Sequence, residues 1–225
     1  MYKNYLEDVI RFNNLDKKQK QQYIWYKLLE SGITPQLQDF QSCFGEGKNI
    51  FTEIGNKQKK IVLSAHYDGK SIFDNNAAII TLLQLAEKFL HSELQYTYTI
   101  LFTDQEETYQ QGSSYFLKHQ PINAIIKNIN IDGFGIGDEL YIVEDLIKNT
   151  NTDTDLFLTD RDEFAKYNIP SVSYFSALNG DFLKAKETGE VFETFSKYNE
   201  TSFFKDKFNL INYSKIFNHL WNISY

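Results

Sequence analysis

Apolar positions recur along the chain in two distinct rhythms. Tyr5, Leu6, Val9, Ile10 and Phe12, then Tyr23, Ile24, Tyr26, Leu28 and Leu29, fall at roughly helical spacing, which predicts two helices over 4–31, parted at Asn13-Asn14. The stretch NIFTEIGNKQKKIVLSAHYD (49–68) alternates, pauses at Gly55-Asn56-Lys57 and resumes as an unbroken apolar run. That pattern predicts a hairpin feeding a buried strand over 61–65. A helix over 76–89 follows, with Ile79, Leu82, Leu83, Leu85, Ala86 and Phe89 on its inner face, and then a second buried strand in YTYTILFTD (96–104). Strand, helix, strand implies a parallel pair. GSSYFLKHQ (112–120) predicts a short helix, INAIIKNINID (122–132) a third strand, ELYIVED (139–145) a fourth and SVSYFSA (171–177) a further one. FNLINYSKIFNHLWNI (208–223) closes the chain as an amphipathic helix. The class is α/β. We expect one domain over 1–225: N-terminal helices in 1–35, a core over 50–200 and a C-terminal helix within 204–223.

The acids stand where such a sheet binds ligands. In an open α/β sheet that place is beyond the carboxyl ends of the strands. His66 and Asp68 end one predicted strand, Asp104, Glu106 and Glu107 follow the next, and Asp132 ends the third. Asp74 opens the helix between them, as a ligand or as a helix cap. One imidazole and several carboxylates gathered together repel one another unless a cation offsets them, which points to a metal; the competing reading is a solvated rim of acids. Donors of nitrogen and oxygen without thiolate suit zinc, manganese or cobalt at a site that keeps one position open for water. In H-x-D, Asp68 is placed to accept the other ring N–H of a ligating His66. The adjacent pair Glu106-Glu107 fits one carboxylate on metal beside another that accepts a proton.

Composition narrows the partners. A formal net charge of −7 without a run of Lys or Arg argues against nucleic acid and against anionic membrane surfaces. No stretch reaches the ~18 apolar residues of a membrane span, and MYKNYLEDVIRF is too charged for a signal peptide, so a cytoplasmic protein is expected. Cys43 is the single cysteine and reads as ordinary packing. His91 and His119 read as helix-end residues, and His219, beside Trp221, as packed or solvent-facing.

LSAHYD (63–68), DNNA (74–77), EETYQQGS (106–113), NID (130–132) and TDRDEFAKYNIP (159–170) occur in the order and approximate spacing of the co-catalytic zinc aminopeptidases. The chain resembles that family, which includes bacterial leucyl-type aminopeptidases and has the glutaminyl cyclases as relatives, over roughly residues 50–200. The resemblance implies a sandwich of helices around a mixed, mostly parallel sheet. It further implies His66, Asp74, Glu107 and Asp132 as ligands of one or two zinc ions, Glu106 as general base, Asp68 orienting His66 and Asp160 near the substrate's amine. The implied partner is a peptide with a free N-terminus, from which the first residue is released.

The match has gaps. Where the family carries a last histidine and an acid in an H-T-x-x-D-like segment, this chain has Phe195 and Asn199; Tyr109 replaces a usual glycine, and Arg161 stands where a histidine often follows Asp160. One metal keeps three ligands, His66, Asp74 and Asp132, while the other keeps Asp74 and Glu107. The second site is expected to be weak, absent, or completed from outside the motifs by Glu193, Glu200 or His219. Three functions stay open: a metal-dependent exopeptidase, a non-catalytic relative that binds a peptide or partner, and an acyl-transfer enzyme of the glutaminyl-cyclase kind. The lost histidine counsels against the last.

Overall fold

A computed structural model describes residues 4–137, 139–142 and 159–224. Helices α1 (Tyr5–Asn13) and α2 (Lys17–Glu30) part where expected, with Asp16 and Gln19 forming a reciprocal cap at the start of α2. Strands β1 (Gln36–Ser42), β2 (Gly45–Ile54) and β3 (Lys60–His66) follow, then α3 (Asn76–Leu90), β4 (Thr97–Thr103), α4 (Gln111–Lys118) and β5 (Ile125–Ile131). Beyond these stand β6 (Glu139–Ile142), α5 (Asp160–Lys166), β7 (Ser171–Ala177), α6 (Asn179–Thr188), α7 (Val191–Phe195), α8 (Thr201–Lys207) and α9 (Leu210–Ser224).

The seven strands form one sheet in the order β1-β2-β4-β3-β5-β7-β6. The run β4-β3-β5-β7 is parallel and the strands at both margins are antiparallel, which is the expected mixed, mostly parallel sheet of an α/β fold. Side chains alternate across it. On one face Ile61, Leu63 and Ala65 of β3 and Tyr98, Ile100 and Phe102 of β4 join the larger core, which includes residues of α1, α3 and α9. On the other, Val62, Leu101 and Ile125 pack with Phe116 of α4 and Phe164 of α5. Burial on both faces explains why β3 and β4 read as continuous apolar runs.

Several expectations need correction. The hairpin partner of β2 is β1, an edge strand that apolar patterning missed because much of it faces solvent, and β4 lies between β2 and β3. The helix predicted over 208–223 is α9, whereas the wider span 204–223 is interrupted at Phe208-Asn209, where the separate helix α8 has ended. Cys43 is exposed in the β1–β2 turn rather than packed. Of the predicted fourth strand, 139–142 is β6, and residues 143–145 lie outside the described residues. His91 and His119 follow the last residues of α3 and α4, as expected.

Candidate metal centre

Three neighbouring parallel strands end side by side. His66 closes β3, Asp104–Glu107 follows β4 and Asp132 follows β5, so short loops deliver all of them to one edge of the sheet. His66 is 1% exposed and its two ring nitrogens face different carboxylates. Nδ1 lies 3.2 Å from Asp68 Oδ1, while Nε2 lies 3.1 Å from Asp74 Oδ1 and 3.5 Å from Asp132 Oδ1. Glu106 Oε2 stands 4.0 Å from Nδ1. The helix cap reading of Asp74 fails: Asn75 is the N-cap of α3, and the Asp74 carboxylate turns to the imidazole.

Neighbours that the sequence did not single out hold these groups. Asn75 is fully buried; its side-chain amide donates to Ile131 O at 2.7 Å and accepts from the Gly133 N–H at 3.2 Å. That pair of bonds ties the loop carrying Asp74 to the loop carrying Asp132. Gly69 lies so close to the Asp74–Asn75 peptide that an added Cβ would sit 2.5 Å from Asp74 O, so a larger residue would push that ligand away. From α2, the Lys20 ammonium donates to Gly69 O at 2.6 Å and Gln21 donates to the Tyr67 hydroxyl at 2.9 Å. Lys17 pairs with Asp104 at 2.7 Å, and Asp104 also accepts the backbone N–H groups of Lys48 and Gln105. Asp104 is therefore a loop anchor.

The proton affinities follow from crowding. Burial opposes a charge on His66, yet the charges of Glu106 and Asp132 outweigh it and hold the imidazole well above its usual pKa. Burial pushes Glu106 up to about 9, with Asp132, Asp160 and Asp68 adding to the rise against the opposing pull of His66. Asp132 is raised as well, by burial and by Asp74 and Asp68. Burial would raise Asp68, but its hydrogen bond to His66 and that ring's charge bring it below its ordinary value. Asp160 is 1% exposed under the site, accepts from the Thr103 hydroxyl and is pushed up to about 6 by burial. It is not among the residues that line the cleft, and it lies close enough to Glu106 to raise that group's proton affinity.

A metal fits this donor set. His66, Asp74 and Asp132 present one nitrogen and two oxygens that lie within 4.8 Å of one another, the three-ligand arrangement of a catalytic zinc with one position left open. Two carboxylates share Nε2, whose single proton can serve one of them, and a cation would satisfy all three. A second group, His66 with Glu106 and Glu107, reuses the same imidazole. Glu193, Glu200 and His219 are exposed and belong to neither group, so among the described residues none of them replaces the missing histidine. Phe195 fills that place as a ring buried against Phe73, Phe175 and Tyr198.

An acid-rich centre at the carboxyl ends of a mostly parallel seven-stranded sheet defines the zinc-exopeptidase class of fold. The chain belongs to peptidase family M28, a metallopeptidase family, whose pattern matches residues 49–223. A zinc-dependent exopeptidase from Parabacteroides distasonis superposes with a TM-score of 0.69 at 15% identity, over 95% of this chain and 94% of that one. The glutaminyl cyclase of Fimbriiglobus ruber superposes at 0.73 and 13% identity, over 98% and 93%. In sequence, the vacuolar membrane protease of Vanderwaltozyma polyspora is 29% identical over 116 residues, 48% of this chain, and the matched part spans 12% of that relative's length.

Proposed function

We propose that this chain is a zinc-dependent aminopeptidase that accepts a peptide with a free N-terminus and releases its first residue. The observation that carries the reading is the convergence of Asp74 and Asp132 on His66 Nε2 with the buried Glu106 beside the same ring. His66, Asp74 and Asp132 would hold the metal, with Glu107 at the rim. When bound, zinc supplies a Lewis acid that polarises the scissile carbonyl and acidifies water. Asp68 accepts the Nδ1 proton of His66 and leaves Nε2 as the ligating atom. Glu106, buried beside the same ring and held as the carboxylate by the charge of a bound cation, would take the proton from water and hand it to the leaving amine. Asp74 and Glu107 line a cleft of about 490 Å³ and attract a cationic N-terminus, and Asp160 acts from beneath by raising the proton affinity of Glu106.

Glu106→Gln is expected to cut turnover of aminoacyl arylamides by at least ~100-fold while zinc content and folding stay intact. Persisting activity would remove Glu106 from its role. Dialysed protein is expected to keep one equivalent of zinc, because the second position lacks its nitrogen ligand; two tightly held equivalents would refute this. The buried ring of Phe195 motivates a second reading, a relative that binds peptides without cleaving them. It expects no turnover with zinc, manganese or cobalt added, and retained peptide binding.

A further inference from the structure

The mouth of the cleft carries two aromatic rings that the mechanism does not use. Phe44, in the β1–β2 turn, is 48% exposed and lines the cleft together with Asp68, Asp74 and Glu107. Tyr109, two residues past Glu107, is 70% exposed and stacks on Phe44 with ring centroids 5.9 Å apart. Their supports are tied together. Ser42 donates to the Gln105 side-chain oxygen at 2.6 Å and accepts from the Phe44 N–H at 3.0 Å, and the Gln105 amide donates back to the carbonyls of Gly45 and Glu46. Tyr109 has a φ of 64°, a conformation that glycine adopts with less strain. A large ring is thus held in water at a backbone conformation that side chains adopt uncommonly.

We propose that Phe44 and Tyr109 form a subsite for an aromatic or large apolar side chain on the leaving side of the peptide. The assignment of side rests on the aminopeptidase reading. If one residue precedes the scissile bond, the rest of the substrate must leave through the mouth, where these rings stand. Flat apolar rings held at a rim favour stacking partners over glycine or acidic residues.

The test compares leucyl-phenylalanine amide with leucyl-glycine amide on zinc-loaded protein, by kcat/KM and, for Glu106→Gln, by calorimetric binding. A preference of about tenfold for the aromatic peptide is expected, equivalent to about 1.4 kcal/mol. Phe44→Ala and Tyr109→Gly should each bring the ratio toward one, with circular dichroism confirming that both variants fold. Equal binding of the two peptides to the parent chain, or a ratio unmoved by both substitutions, overturns the proposal. Preferential binding without any turnover supports the subsite and counts against the hydrolytic reading alone.

Discussion

His66 shows how one residue organises the centre. Its Nδ1 faces Asp68 and its Nε2 the space between Asp74 and Asp132, so the ring orientation is set before any ion arrives, and Asp68 stands ready to accept the Nδ1 proton when Nε2 binds one. Asp68→Asn keeps the shape of the side chain but removes its charge and leaves Nδ1 facing an amide that can present the wrong group. Zinc affinity is expected to fall about 10- to 100-fold, read by competition with a chelating dye. An unchanged affinity would make Asp68 a bystander. The grouping of His66, Asp68, Asp74, Glu106 and Asp132 was legible because each falls at a strand end or beside a helix start. Asn75 and Gly69 were not singled out, because their work is done by an amide bridging two loops and by a missing Cβ. Those are three-dimensional facts that residue type does not announce. For Asp160 the sequence marks the strand-end region but not depth: the side chain is buried and accepts from the Thr103 hydroxyl.

Among the elements, α2 acts as a brace across two site loops. Lys17 reaches the loop after β4, while Lys20 and Gln21 reach the loop after β3. Lys20 is 5% exposed, and burial lowers its pKa to about 8 although the charge of Asp68 pulls it back up. A buried ammonium is retained here for its bond to Gly69 O. Lys20→Met keeps most of the apolar stem, removes that bond and leaves a buried carbonyl short of a donor. It is expected to cost about 1–3 kcal/mol in urea unfolding with an unchanged m-value, and to weaken zinc binding through the Gly69–Asp74 contact. Full stability with unchanged zinc affinity would show that α2 merely covers the loops. Strands buried on both faces and helices with one apolar side were readable from the sequence, as β3, β4 and α3 show. The edge strand β1 was not, since most of its residues face water, and neither was α6, whose residues NGDFLKAKET lack a clear apolar stripe.

For the whole molecule, crowded acids make stability depend on pH and on the ion together. Without metal, Glu106 takes up its proton with a pKa of about 9 when folded against about 4.5 when free, and Asp160 with about 6 against 3.8. Glu107 and Asp132 are shifted upward too, by burial and neighbouring acids, and His66, against the opposing effect of burial, is shifted upward by the charges of Glu106 and Asp132. A raised pKa means that the folded state binds protons more tightly, so this stability is present at low pH and drains away as pH climbs from about 4.5 to about 9. Asp68 alone among these runs the other way, losing its contribution as pH falls through its lowered value. A divalent ion competes with the same protons and therefore binds more strongly as they leave. The melting temperature of chelator-treated protein is expected to fall between about pH 5 and pH 8, while the gap between zinc-loaded and chelated protein widens over that range. With zinc about 100-fold above its dissociation constant, the gap should reach about 5–10 °C. Parallel melting curves for the two forms at every pH would mean that no ion binds among these acids, and the metallopeptidase mechanism would lose its centre.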